Sequence, residues 1–192
     1  MTDSQPPLRV PLPERDDLDP AGQTVWDHVA SSRGRDTLPN VFRALANNVG
    51  ALEQAAGVGE FIRFKADLDD TVRELAILTT AQETRCAYEW TAHYRIAERD
   101  GVSPDLLNAI GTAKIEAEPA PLGPAMRYAR LVANAQPVDD ETVDALKDSL
   151  GVEKFVALTI LIGYYGMLAR FINTMGVPID IASEPTPFVV NT

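Results

Sequence analysis

Cysteine is nearly absent from this 192-residue chain, with one residue, and histidine is scarce, with two. One cysteine excludes an intramolecular disulfide framework and a multi-cysteine zinc site, and suits a reducing compartment. Positive charge is also in short supply: 17 Lys and Arg stand against 28 Asp and Glu, a net charge of −11. Phosphate contacts need clustered cations, so nucleic acid and anionic membrane surfaces are not expected partners. Long apolar runs are missing too. The longest, "FVALTILIGYYGMLA" from Phe155 to Ala169, is too short to span a bilayer and reads as a buried helix. The N-terminus, "MTDSQPPLRVPLPERDD", has no basic region followed by an apolar one, so no secretory signal is expected and a cytoplasmic protein is.

No stretch alternates apolar and polar residues between turn signals, so no strand is expected. Helical signals are plentiful. Asp19-Pro20 and Ser103-Pro104 are caps followed by proline at the first helical position. "VFRALANN" reads as a short helix. Another runs from about Ala51 to Lys65, weakened by Gly57 and Gly59 at roughly 1 kcal/mol each. "DLDD" opens a helix near Thr71, and Thr84 caps the next, which ends at Asp100-Gly101. "EAEPAPLGP" is a linker. Further helices are predicted over Ala125–Asn134, Asp140–Leu150 and Val152–Thr174. The last is apolar nearly all round, which places it centrally in a bundle or at a subunit interface. The expectation is an all-α fold of eight to nine helices. Residues 1–17 form an extended segment, 18–178 one helical domain, and 179–192 an extended tail.

Chemistry-bearing residues concentrate in "RELAILTTAQETRCAYEWTAH", from Arg73 to His93. On a helix starting at Thr84, Cys86, Glu89 and His93 stand at i, i+3 and i+7, one stripe, and Glu89 can orient the His93 imidazole at i, i+4. Glu74 reaches the same pocket if its helix is an antiparallel neighbour. Each residue also has a plain structural reading: a buried thiol, a solvated glutamate, a satisfied core histidine.

The segments "RELAIL", "CAYEWTAH" and "LIGYYGMLARFINTMGVP" resemble the carboxymuconolactone decarboxylase superfamily, which includes the alkylhydroperoxidase D-like proteins. The resemblance runs from about Leu38 to Pro178. It implies an all-helical fold, homo-oligomers (dimer, trimer or hexamer) and a pocket at the start of the motif helix. It also implies that Cys86 takes the place of the first cysteine of a Cys-x-x-Cys pair, His93 that of the downstream histidine and Glu74 that of the upstream glutamate. Glu89 stands where the second cysteine would be, and Cys-x-x-Glu cannot close a disulfide.

The expected catalytic set is therefore Glu74, Cys86, Glu89 and His93, with no cofactor and no metal. Three functions remain open. One is cofactor-free acid–base decarboxylation or isomerisation of a small carbonyl or carboxylate compound of lactone type. Another is single-cysteine hydroperoxide reduction through Cys86, which needs a thiolate although an unperturbed cysteine is only about 3% ionised at pH 7. The third is a non-catalytic, oligomeric binding role. A metal site using Glu89, His93 and Cys86 is a weaker fourth. Phe42, Phe61, Phe64, Trp90 and Tyr165 are candidate pocket lining.

Overall fold

A computed structural model describes residues 6–180. Among them are nine α-helices and no strand: α1 (Pro20–Ser31), α2 (Asn40–Leu45), α3 (Val49–Phe64), α4 (Asp70–Glu83), α5 (Ala87–Arg99), α6 (Pro104–Ala109), α7 (Ala113–Glu116), α8 (Leu122–Ala133) and α9 (Asp140–Met175). Residues 1–5 and, of the expected tail over 179–192, residues 181–192 lie outside the described residues. Within the expected extended N-terminal segment, Arg15–Asp17 forms one 3-10 turn.

The caps read from the sequence operate. The side chains of Asp19, Asp69 and Ser103 each accept a backbone N–H in the first turn of the helix that follows, which satisfies donors with no partner inside the helix. Gly151 breaks α9 where two helices were predicted: its φ of 77° and ψ of 161° lie outside the helical region and suit glycine. Beyond the break, Leu158, Leu161, Ile162 and Ala169 are fully buried. Each large apolar side chain so buried contributes roughly 1.5–3 kcal/mol. The most apolar window of α9 is long and apolar enough to cross a membrane, yet 56% of it is buried inside the fold, where it packs against α4, α8 and α3.

Two predictions need correction. The linker "EAEPAPLGP" is not free of structure, because α7 runs into its start and α8 begins at Leu122 rather than Ala125. More consequentially, no helix begins at Thr84. Thr84 is the C-cap of α4, and its hydroxyl donates back to the Thr80 carbonyl at 2.7 Å. Arg85 then adopts a left-handed φ of 51°. Cys86 is the N-cap of α5 and not a residue of its stripe. A reversal over the three residues between α4 and α5 lays these helices side by side, and that places Glu74 against α5.

Candidate active site

Glu74, on the buried face of α4, has no exposed surface. Its Oε1 accepts from Arg73 Nε at 2.9 Å, and its Oε2 lies 2.7 Å from His93 Nδ1. Arg73 is itself 8% exposed and also binds Asp70. Burial alone would push Glu74 up. The charge that His93 carries when protonated at low pH and its hydrogen bond, with the guanidinium groups of Arg63 and Arg73, outweigh it and bring the carboxyl down to about 2. Glu74 is therefore an acceptor only, so His93 Nδ1 must carry the hydrogen between them.

Burial pushes the His93 pKa down, with help from Arg63 and Arg73 and against the pull of Glu74. The imidazole is thus neutral near pH 7, and Nε2 presents a lone pair. It stands 3.7 Å from Glu89 Oε2, too far for a hydrogen bond. So it is Glu74, not Glu89 as the i, i+4 spacing suggested, that orients His93. The Glu89 carboxyl is 4% exposed. Its burial, opposed by Arg63 but reinforced by the charges of Asp180 and Glu74, raises it to about 8. At neutral pH it is a carboxylic acid with a proton to give.

Glu89 and His93 open onto a cavity of about 230 Å³ between α2, α3, α5 and α9. At ~30 Å³ per water this has room for a small molecule only. Tyr165 meets the His93 ring edge-on at 4.9 Å, and Phe42, Phe64, Tyr88 and Tyr164 complete the aromatic lining. Of the other predicted lining residues, Phe61 faces a separate groove beside His28 and Ile160, while Trp90 packs against Tyr94. Gly59 belongs to this wall for a steric reason. A Cβ there would fall 2.5 Å from the Tyr164 hydroxyl oxygen, so its cost in helix propensity accompanies a close helix–tyrosine approach.

Cys86 is brought near but not into the cavity. It is fully buried and does not line the space. Burial, followed by the negative charge of Glu89, pushes its thiol well above the ordinary range, against the N–H groups of Glu89 and Tyr88. The motif spacing does not foretell four arginines on the cavity: Arg33, Arg35, Arg63 and Arg99. Arg33 stacks 4.4 Å above the Phe42 ring, and the buried Nε of Arg63 has no hydrogen-bond partner among the described residues. No local pattern marks them. Among the described residues no three His, Cys, Asp or Glu side chains are placed to hold a metal ion.

The carboxymuconolactone decarboxylase family matches residues 50–135, the segment that carries Glu74, Cys86, Glu89 and His93. Over that segment the chain is similar to this family. The fold extends further. The alkylhydroperoxidase AhpD core of a peroxidase-related protein from Ralstonia eutropha superposes with a TM-score of 0.72 at 20% identity, covering 92% of this chain and 94% of that one. The debrominase Bmp8, as a cysteine-to-alanine variant in complex with 2,3,4-tribromopyrrole, superposes with a TM-score of 0.69 at 19% identity, covering 92% and 93%. At these identities the likeness is one of fold. No curated protein sequence matches the chain.

Proposed function

We propose that this protein is a carboxymuconolactone decarboxylase-like enzyme of cofactor-free general acid–base chemistry, decarboxylating or isomerising a small carbonyl or carboxylate compound of lactone type. The observation that carries the reading is a buried carboxyl, Glu89, on the 230 Å³ cavity beside the buried His93 imidazole; burial raises the acid to about 8 and pushes the imidazole down. The arginines on the cavity suit a substrate with an acidic group and an enolate oxygen that gains charge as the reaction proceeds.

In decarboxylation, the bond to the departing carboxylate breaks and its electron pair enters the carbonyl as an enolate. Glu89 delivers its proton to the carbon and becomes a carboxylate beside Arg63. In isomerisation, His93 Nε2 takes the proton and Glu89 supplies one to the new position, with Glu74 stabilising the imidazolium. A positioned acid or base of this kind contributes about 10²–10⁴-fold. The reaction draws on no cofactor. Hydroperoxide reduction through Cys86 has against it a thiol that is buried, shielded from the cavity and held protonated. A purely binding role leaves the protonated acid without a task.

The test is turnover of a panel of lactone carboxylates, with Glu89→Gln, His93→Ala and Cys86→Ser alongside the parent. Folded Glu89→Gln and His93→Ala proteins should lose at least about 10²-fold, and Cys86→Ser should change little. Full turnover by the first two would overturn the reading. Trapping of a Cys86 sulfenic acid after peroxide, with activity abolished in Cys86→Ser, would put the peroxidase in its place.

A homo-oligomer in the cytoplasm forms part of the proposal. Phe61, Phe64, Ile160 and Met167 are about half exposed on α3 and α9, and an apolar groove between these helices suits a second copy of the chain. Light scattering that gives a monomer would remove this element.

A further inference from the structure

After α9 the chain turns at Gly176, in the left-handed region with φ 66°, and is fastened down again within four residues. Pro178 O accepts from Asn40 Nδ2 at 3.2 Å, and Asp180 Oδ1 accepts the backbone N–H of Asn40 at 2.7 Å. Asp180 Oδ2 accepts the Tyr88 hydroxyl at 2.5 Å, and the Tyr88 oxygen in turn accepts the Val41 N–H at 3.2 Å. Asn40 and Val41 are the first two residues of α2, whose N-cap is Pro39 and offers no side-chain acceptor. Their amides are donors without partners inside the helix. Two residues distant in sequence, Asp180 and Tyr88, supply the missing acceptors, and both also line the cavity. Tyr88 is buried while Asp180 is exposed, so this junction forms the mouth.

We propose that Asp180 is a positioning residue of this site: it fastens Tyr88 and the start of α2 into one wall of the cavity mouth, and it sets its carboxylate on the same cavity as Glu89. The proposal rests on the reading of Glu89 as proton donor. A carboxylate facing a second acid disfavours ionisation of that acid, so Asp180 acts in the same direction as burial in keeping the proton on Glu89. The other groups that bear on Glu89 are Arg63 from α3, Glu74 from α4, and His93 one turn along α5. The phenols of Tyr164 and Tyr165 on α9, the Tyr88 hydroxyl and the Cys86 thiol face it in neutral form. Asp180 is the member of this set contributed by the segment after α9, outside the helices.

The experiment is a carbon-13 NMR titration of the glutamate side-chain carboxyls in the full chain, with Glu89 assigned by its loss in Glu89→Gln. The parent should titrate at Glu89 near pH 8. Asp180→Asn preserves shape and one acceptor but removes the charge, and should lower that midpoint by about half a pH unit or more, with an unchanged circular dichroism spectrum. Tyr88→Phe cuts the tether and keeps the charge, and should shift the midpoint the same way by less. A folded Asp180→Asn protein with an unmoved midpoint overturns the proposal. If that variant does not fold, an unmoved midpoint in Tyr88→Phe does so. A parent midpoint near 4.5 would instead refute Glu89 as the acid, a different failure read from a different sample.

Discussion

Replacing Glu89 with glutamine keeps the shape of a neutral glutamic acid while removing its ability to ionise. The structure sets the consequence for stability. Glu89 has a folded pKa of about 8 against an ordinary 4.5. Below pH 4.5 both the folded and unfolded chains hold the proton, and the group is neutral in its effect. Above pH 4.5 the unfolded chain releases it and the folded chain does not, so the folded state loses ground with every unit until pH 8. At 1.36 kcal/mol per unit, the cost is roughly 3 kcal/mol at pH 7 and roughly 5 kcal/mol above pH 8. Glu89→Gln escapes this cost. Relative to the parent, its stability should therefore climb by those amounts between pH 4.5 and 8 and level off beyond. Any constant offset from altered hydrogen bonding cancels in that slope. Urea denaturation of both proteins at half-unit pH intervals provides the measurement. A difference that does not vary with pH would show that Glu89 is ionised in the folded protein, and the proton-donor argument would fall with it.

Glu74 should behave in the opposite sense. Its folded pKa of about 2 lies below the ordinary 4.5, so its stabilisation is present above pH 4.5 and is lost as pH falls towards 2. Glu74→Gln should cost at least about 3 kcal/mol at pH 7, and denaturation curves of variant and parent should converge near pH 2. Turnover of a true substrate should decline as pH rises through about 8, where Glu89 gives up its proton, and a pH–rate profile flat from 6 to 10 would contradict this. The two glycines of α3 should part company: Gly57→Ala, opening onto free space, should raise stability by about 0.5–1 kcal/mol. Gly59→Ala, against the Tyr164 hydroxyl, should lower it by about 1–3 kcal/mol in the same melts. Cys86 should resist iodoacetamide at pH 7 in the folded protein and react promptly in urea, since it is buried with its thiol held protonated; rapid native labelling would refute the burial argument.

The helices were legible because helix signals are local. A cap followed by proline at Asp19-Pro20 and Ser103-Pro104, a glycine between two apolar periods at Gly151, and the i, i+4 pair of Glu89 and His93 depend on residues a turn or two apart. The sequence by itself determined that the fold of the described residues is all helical, that its last helix is core, and that two acids and an imidazole fall in one segment. It misplaced Cys86, because Thr84 serves equally well at either end of a helix, and its role was decided by the left-handed turn at Arg85 that packs α4 onto α5. Which acid orients His93 followed from that packing, and Glu74 came from 19 residues away. Arg33, in the turn after α1, and Arg63, on α3, look like ordinary surface cations, and Asp180 like a tail residue. The rotation of each helix about its neighbours turns the arginines to the cavity, and the path of the chain after Gly176 brings Asp180 to its mouth. Local chemistry specifies the elements. The pKa values on which the proposed reaction depends arise from burial and from charges on other elements, so they exist only once the helices have packed.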